Sequence, residues 1–427
     1  MDSTLPGYEQ AAALVAAYAA DLGHRRHAQE RVPLSRASGR VLASPLRADS
    51  DQPAFARSTR DGFACRAKEL STGKALTVAG STRAGESPAD KLPKGAAWEI
   101  MTGGAVPPGA DCVVMIEHVD AADGQVKLAH GRTIAAGANI VARGDHARKG
   151  DRLLEPGVAI GAAQVALSAV CGQSALDVYT RPRVAILTTG DEILTIEQMP
   201  GPGQIRNSNG PMLAALVAAA GAEPWVLPIA RDEARSLDKA LARAFAADML
   251  VVTGGVSAGK FDLVEPALER LGAKFHFTGV HIQPGKPVVF GDVPRPRGKA
   301  AKAHPLTVAT KQMPFFGLPG NPVSSAVTFL IFAAPVIAAL AGSVAPIPRF
   351  VLARLARAAK RGPKSGLTRF LPAHCSYGAK GDMPAVELVE WKGSGDIAAM
   401  ARGNCFLVLP EDSNHPEPDE IVRVLLY

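Results

Sequence analysis

From Arg183 onwards, short apolar segments alternate with segments that have helical spacing. The strand-like segments lie at 184–188, 225–229, 249–253, 288–290 and 315–318. Strand–helix–strand units of this kind join parallel strands by right-handed crossovers. The alternation therefore predicts an α/β domain with a doubly wound, largely parallel sheet.

Polar and glycine-rich loops follow these strands. The carboxyl ends of parallel strands share one edge of the sheet, where ligands bind. Four loops are expected there, namely TTGDE, ARDE, TGGVSAGKFD and LPGNPVSS. They would bring together the carboxylates of Asp191, Glu192, Asp232 and Asp262.

The loop after the strand at 249–253 has a composition suited to an anion. Gly254, Gly255 and Gly259 carry no Cβ, so their backbone N–H groups can approach a ligand closely, and Ser257 offers a hydroxyl. Two interpretations stay open, an ordinary strand-to-helix connection and a phosphate site. Lys286 in QPGKP is likewise either a phosphate-pairing cation or an ordinary surface lysine.

The gathered carboxylates favour a metal ion. Two unit charges 4 Å apart repel by about 4 kcal/mol at an effective dielectric constant of 20, so a divalent cation would relieve the cluster. Carboxylate ligands without clustered Cys or His indicate Mg²⁺ rather than zinc.

The overall composition limits the classes of partner. The formal charge is +7, which favours anionic ligands, but only 5% of the residues are aromatic. Nucleic-acid binding is not expected, because stacking aromatics are not interleaved with the basic residues. Five widely spaced cysteines and an N-terminus without an apolar core favour free thiols and a cytoplasmic location.

One long uncharged run calls for a membrane check. No charged residue occurs between Lys311 and Arg349, and residues 329–341 are nearly all apolar. We expect a buried core helix rather than a membrane span, because single spans seldom lie between soluble domains.

The remaining segments predict further domains. Alanines and leucines at helical spacing predict an amphipathic helix over 8–31, and short β-rich pieces with glycine turns predict a small β domain over about 63–145. Asp61–Gly62 and Thr102–Gly104 have the composition of ordinary turns. After Arg349, strand-like spacing predicts an all-β C-terminal domain.

Taken together, these motifs resemble the molybdopterin molybdenumtransferase family of the bacterial MoeA type, which is also found as the E domain of gephyrin. The resemblance covers almost the whole chain and is carried by STRDGFA, IMTGGAVPPGADCVVMIE, RGDH, RVAILTTGDEIL, NSNGPML, TGGVSAGKFD, PGKPVVFG and LPGNPVSS. It implies a helical stem domain (1–45 and 146–180), an inserted β domain (46–145), an α/β molybdopterin-binding domain (181–345) and a C-terminal β-barrel domain (346–427).

The resemblance also implies a reaction. The family inserts molybdate into adenylylated molybdopterin and releases AMP, assisted by Mg²⁺. The family forms a homodimer with each active site between the α/β domain of one subunit and the β domain of the other. The resemblance also suggests a molybdopterin adenylyltransferase as a partner.

Site residues follow from the same motifs. The catalytic group would comprise Asp61, Thr102, Asp145, Glu192, Asp232, Asp262 and Lys286, with Glu192, Asp232 and Asp262 on the metal. The residues that bind the pterin and its phosphate would be Gly254, Gly255, Ser257, Gly259, Pro319, Gly320, Asn321, Ser324 and Ser394.

Some positions depart from the family pattern. Lys260 stands where an acidic residue is common, Gln283 where a basic residue is frequent, and Pro372 where an arginine is usual, with Arg369 nearby as a compensating charge. The basic loop over 294–312 is longer than the family needs. A non-catalytic molybdopterin-binding or scaffold paralogue is therefore the alternative to the transferase, and nucleotide or pyrophosphate hydrolysis is a remoter one.

Overall fold

The computed structural model describes residues 5–25, 27–86, 91–255, 263–296, 310–344, 348–358, 366–378, 381–411 and 416–427. Its helices are α1 (Tyr8–Gly23), α2 (Ala67–Leu70), α3 (Ala162–Val170), α4 (Asn209–Ala219), α5 (Ala234–Ala244), α6 (Val264–Arg270), α7 (Pro322–Thr328), α8 (Ala334–Leu340) and α9 (Ile397–Arg402).

The strands of the first half are β1 (Gln29–Pro33), β2 (Leu46–Arg47), β3 (Arg57–Ser58), β4 (Gly62–Cys65), β5 (Leu76–Thr82), β6 (Ala96–Ile100), β7 (Cys112–Met115), β8 (Val119–Ala122), β9 (Gln125–Leu128), β10 (Ile140–Val141), β11 (Arg152–Leu154) and β12 (Ala175–Tyr179). Those of the second half are β13 (Arg183–Thr188), β14 (Ile193–Leu194), β15 (Ile205–Arg206), β16 (Glu223–Val226), β17 (Met249–Thr253), β18 (Lys274–Phe277), β19 (Ile282–Gln283), β20 (Val289–Pro294), β21 (Gln312–Leu318), β22 (Phe350–Leu355), β23 (Thr368–Ser376), β24 (Ala385–Leu388), β25 (Cys405–Leu409) and β26 (Ile421–Leu426).

The chain divides into two compact units. The larger comprises 1–44, 156–163 and 175–427, and the smaller comprises 45–155 and 164–174. The boundaries of the four domains that the resemblance implies stay a prediction.

The α/β sheet of the larger unit confirms the predicted fold class. Its strand order is β16-β13-β17-β21-β20-β18, and the first four strands are mutually parallel. β20 runs antiparallel to both of its neighbours. The sheet is therefore largely parallel with one reversed strand near its edge.

Helices cover both faces of this sheet, which explains its continuous apolar strands. Along β13, Val184 and Ile186 join the core that includes α4 and the helices after β21, whereas Ala185 and Leu187 join the core that includes α5 and α6. Because side chains alternate across a strand, each strand supplies both cores.

The long uncharged run forms a buried helix, as predicted. The segment Pro322–Leu340 is continuous through α7, a π-helical turn at Phe329–Ala333 and α8. Its length and composition would suffice to cross a membrane, but 89% of it is buried inside the protein. Its apolar surface is therefore already packed in the core.

The C-terminal strands close into a barrel in the order β23-β24-β22-β26-β25, with β25 pairing back onto β23. β19, which comes from the α/β region of the chain, pairs in parallel with β23. This pairing brings the segment that leads to Lys286 against the barrel.

In the smaller unit, a six-stranded sheet has the order β7-β4-β6-β5-β9-β8. This arrangement agrees with the small β domain that the sequence predicts. The cysteines are free, as expected, and the structure shows that they are buried. Cys65 lies opposite Cys112 with 3.5 Å between the sulfur atoms.

The first helix is shorter than predicted. It ends at Gly23 rather than continuing to residue 31, because Gln29–Pro33 form β1 against β12. His27 is buried, and its Nδ1 lies 3.1 Å from the carbonyl oxygen of Leu340.

Candidate active site

The candidate site lies at the carboxyl edge of the α/β sheet. β13 is flanked by β16 on one side and β17 on the other, so the strand order reverses here, and ligands of such folds bind at this switch point. Backbone hydrogen bonds extend the ladder into the loops: Thr189 N–H donates to Thr253 O (3.1 Å) and Gly190 N–H to Ala230 O (3.2 Å). The loops after β13, β16 and β17 are therefore held side by side.

Three of the predicted carboxylates meet in two of these loops. The backbone N–H of Asp232 donates to Asp191 Oδ1 at 3.2 Å. Partial burial raises the pKa of Asp232, a backbone hydrogen bond at Asp191 opposes this shift, and the charges of Asp191 and Glu192 add to it. The structure thus gathers negative charge in these two loops, and the cation site itself stays a prediction.

The metal site itself is not complete in the described part of the chain. No group of three His, Cys, Asp or Glu side chains there has an arrangement that could hold a metal ion. Asp262, the third predicted ligand, lies outside the described residues, as do Ser257, Gly259 and Lys260. The donor chemistry of Asp191, Glu192 and Asp232 fits a hard cation, so Mg²⁺ stays a prediction.

The two described glycines of the loop after β17 adopt left-handed backbone conformations, with φ of 88° at Gly254 and 64° at Gly255. A Cβ on Gly254 would lie 2.6 Å from Thr189 O, which no real side chain allows. Glycine is therefore required where the loop passes the end of β13.

The structure also contains a buried polar network beneath these loops, which the sequence did not predict. Asn209 Nδ2 donates to Thr253 Oγ1 (2.8 Å) and to Gly320 O (2.7 Å), and Ser325 Oγ lies 3.1 Å from Thr253 Oγ1. By its residue type and its place before an apolar run, Asn209 is only a capping candidate at the start of α4. Its side chain instead joins the β17 loop to the loop after β21.

A cavity of about 470 Å³ collects several predicted residues between the β21 loop, the segment after β19 and the barrel. Predicted site residues in its lining are Lys286, Pro319, Asn321, Ser324 and Ser394, and it is also lined by Gln283 and Arg369. Lys286 is exposed, whereas Arg369 is only 7% exposed. The cavity thus combines two cations with amide and hydroxyl groups.

The barrel serine fixes the first turn of α7. Asn321 Nδ2 donates to Ser394 Oγ at 2.9 Å, and Val323 N–H donates to Ser394 O at 3.0 Å. Asn321 stands at the N-cap position with Pro322 at the first helical position, as expected of an Asn-Pro pair that opens a helix, but its side chain makes no capping hydrogen bond. The structure thereby joins Ser394 to the loop after β21.

In the smaller unit, Asp61 and Thr102 form a direct pair. Asp61 Oδ1 accepts hydrogen bonds from Thr102 Oγ1 (2.7 Å) and Thr102 N–H (2.6 Å). These two bonds hold the pKa of the exposed Asp61 carboxyl below its usual range, because they stabilise the carboxylate. Two apparent turns are thus one fixed, negatively charged element.

Asp145 is placed differently. β3 and β10 pair antiparallel, and Asp61 follows β3 whereas Asp145 follows β10, so they lie past opposite ends of this pair. Gly144 N–H donates to Pro53 O at 3.0 Å, and the Asp145 side chain is exposed. The structure gives no contact in the described residues that joins Asp145 to Asp61 or Thr102.

Comparison with known proteins gives a consistent result over the chain. Three family models match in order: the MoeA N-terminal region (domains I and II) at residues 7–172, a probable molybdopterin-binding domain at 185–339, and the MoeA C-terminal region (domain IV) at 353–427.

Curated relatives and solved structures agree with this. The molybdopterin molybdenumtransferase of Bacillus subtilis is 34% identical over 93% of this chain and 89% of its own length, and that of Nostoc sp. is 37% identical over 73% and 70%. The molybdopterin biosynthesis MoeA protein of Pyrococcus horikoshii OT3 superposes with a TM-score of 0.76 at 26% identity, covering 99% of this chain and 100% of that one.

Proposed function

This chain belongs to the molybdopterin molybdenumtransferase family, and we propose that it inserts molybdate into adenylylated molybdopterin with release of AMP during molybdenum cofactor biosynthesis. The cavity beside Lys286 and Arg369 carries this proposal. Two cations and several hydroxyl and amide donors suit a tetrahedral oxyanion or a phosphate, since charge-assisted hydrogen bonds to such groups are the strong ones.

The carboxylate cluster supplies the second part of the proposed site. Glu192 and Asp232, together with Asp262 from outside the described residues, would hold Mg²⁺, which when bound would neutralise the phosphates of the adenylylated substrate. These carboxylates would hold the cation at the carboxyl edge of the sheet. Lys286 and the Asn321–Ser394 pair bind and orient the anionic groups.

Magnesium is expected to stabilise the protein in a pH-dependent way. Because the pKa of Asp232 is raised, its ionised form is disfavoured, and a cation relieves this cost only while the carboxylate is ionised. At 100 times the dissociation constant, Mg²⁺ would add about 2.7 kcal/mol of stability at pH 7. This gain in stability should fade as the pH falls through the pKa of Asp232. The measurement is the difference in melting temperature between samples with Mg²⁺ and samples with EDTA, taken over a range of pH.

Asp232→Asn should remove most of that Mg²⁺-dependent shift, whereas Glu233→Gln, the exposed neighbour, should leave it intact. Equal shifts for the wild type and Asp232→Asn would contradict the assignment of Asp232 to the metal.

We also propose a cytoplasmic homodimer in which Asp61, Thr102 and Asp145 of one subunit complete the site of the other, with a molybdopterin adenylyltransferase as the partner that supplies the substrate. The resemblance to the family supports this arrangement. In this arrangement, the carboxylate of Asp61 would contribute to the active site of the other subunit.

Complementation between two strongly impaired variants tests the shared site. If Asp61→Ala and Lys286→Met subunits are unfolded and refolded together in equal amounts, half of the dimers are mixed, and each mixed dimer has one intact site. About a quarter of the wild-type activity should return. No recovery in a sample whose mixed dimers are confirmed by mass would contradict a site shared between subunits.

A further inference from the structure

Ser394 lies in a short loop of the C-terminal barrel, residues 392–396, that borders the cavity beside Lys286. Gly393 and Ser394 belong to the lining of that cavity. The Ser394 hydroxyl accepts the hydrogen bond of Asn321 Nδ2, so its own O–H stays available to donate to an oxygen atom of a ligand. The direction of that O–H depends on where the loop holds the serine.

Glycines flank the serine on both sides. Gly393 has a φ of 136°, in the region that favours glycine, and a Cβ there would meet nothing within 4 Å. Gly395, on the other side, is exposed. Because glycine restricts its own backbone less than any other residue, the local chain does not fix Ser394. The position of the serine must therefore come from contacts made by the rest of the loop.

One side chain closes this loop. The carboxylate of Asp396 accepts the backbone N–H of Lys392 on Oδ2 (3.0 Å) and that of Ala399 on Oδ1 (3.0 Å). The backbone N–H of Asp396 also donates to Gly393 O at 2.9 Å. The carboxylate therefore joins the start of the loop to its end, and at the same time it caps the first turn of α9.

These contacts favour the ionised form of Asp396. The hydrogen bond from Lys392 N–H, followed by that from Ala399 N–H, holds the pKa of the carboxyl below its usual range. An ionised carboxylate only accepts hydrogen bonds, so both of its oxygens can serve the two N–H groups. An asparagine could not do the same, because its NH₂ group would face one of these donors.

The α/β part of the chain holds the loop from the other side. Ser394 O accepts the N–H of Val323, in the first turn of α7, at 3.0 Å, and Asn321 precedes that turn. Ser394 is thus fixed from two directions, by the start of α7 and, through the loop backbone, by Asp396. Loss of either constraint would let the hydroxyl move within the cavity.

We propose that Asp396 is a positioning residue for oxyanion binding, and that it acts by holding the Ser394 hydroxyl in the cavity. The identity of the oxyanion, molybdate, rests on the proposed function. Asp396 is not among the residues that line the cavity, so its effect on the ligand would pass through Ser394.

Binding of molybdate alone to the full chain, measured by titration calorimetry, tests this role without turnover. Asp396→Ser keeps an oxygen that can cap Ala399 N–H but cannot also reach Lys392 N–H. It should weaken molybdate binding about three- to tenfold, as expected for one lost hydrogen bond, and change the melting temperature little. Asp396→Ala should weaken binding equally and lower the melting temperature, because it also removes the helix cap.

The direction of the change separates positioning from charge. Removal of a negative charge near an anion site should by itself strengthen the binding of molybdate. Weaker binding in Asp396→Ser would therefore be the opposite of the electrostatic effect. Lys392→Ala is the matched control, because it removes an exposed side-chain charge from the same loop and keeps the backbone N–H that Asp396 accepts. It should leave molybdate affinity nearly unchanged, since exposed charges are screened by salt.

A double variant shows whether Asp396 acts through the serine. Ser394→Ala should weaken molybdate binding about tenfold, because a donor to the ligand is lost. Adding Asp396→Ser to Ser394→Ala should then cause no further loss, since two residues that act through one group are not additive.

Three results would each overturn the proposal and leave Asp396 as a helix cap only. They are wild-type affinity in Asp396→Ser, a gain of affinity in that variant, and losses that multiply in the double variant. These results are distinct from a failure of the proposed function. A protein that binds molybdate through the positioned Ser394 yet releases no AMP would keep the role of Asp396 and exclude the transferase.

Discussion

Lys286→Met is expected to lower transferase activity by about 10- to 100-fold while the protein stays folded. Lys286 is exposed and lines the cavity together with one other cation, Arg369. A hydrogen bond to a charged group contributes about 1.5–3 kcal/mol, which corresponds to that range of rates or affinities. Methionine keeps much of the length of the side chain and removes only the charge.

Steady-state assays at saturating and limiting molybdate would show whether the loss lies in KM or kcat. Lys274→Met is the matched control, because Lys274 is also exposed but lies on the edge strand β18, outside the lining of this cavity. Wild-type activity in Lys286→Met would exclude this cavity as the oxyanion site.

Gly62→Ala is expected to destabilise the smaller unit by about 3–5 kcal/mol, the largest stability effect that we predict from a single methyl group. A Cβ at this position would lie 1.9 Å from Val114 O, because β4 passes very close to β7. Val114 O is a backbone atom and the Cβ is bonded directly to the backbone of β4, so neither strand can yield without losing its pairing.

Gly73→Ala separates the steric clash from backbone strain. Gly73 also has positive φ (76°), but its Cβ would meet nothing within 4 Å. Thermal unfolding of both variants should show a small loss for Gly73→Ala and a much larger loss for Gly62→Ala. Equal losses of stability in the two variants would mean that the close approach of β4 to β7 does not destabilise Gly62→Ala.

These two glycines also show what the sequence can predict. The pair Asp61–Gly62 has the composition of an ordinary turn, yet Gly62 is the first residue of a buried strand, and Asp61 is fixed by Thr102, 41 residues later. Turn composition reports local backbone preference. It does not report which distant strand will pass within contact distance.

The α/β fold was predictable because its signal is local. Apolar strand residues alternate with helical spacing, and the known handedness of the connections places the loops of β13, β16, β17 and β21 at one edge. The all-β C-terminal region and the buried Pro322–Leu340 helix were predictable for the same reason, whereas the closure of those strands into a barrel was implied by the family resemblance.

Residues that connect two loops were not predictable in this way. Asn209 and Asn321 both have the composition of helix caps, but their side chains bind Gly320 O and Ser394 Oγ respectively. Their roles depend on which loops meet after the sheet and barrel have formed. Local spacing does not indicate which loops will meet. The position of both residues at a common sheet edge does mark them as candidates for joining two loops.

Molybdate-dependent release of AMP from adenylylated molybdopterin, measured on the purified full chain with Mg²⁺, tests the central claim most directly. We expect AMP release that requires molybdate, falls with EDTA and falls by about 10- to 100-fold in Lys286→Met. Tight binding of the adenylylated pterin with no AMP release at high molybdate and Mg²⁺ would contradict the transferase and indicate a binding or scaffold protein.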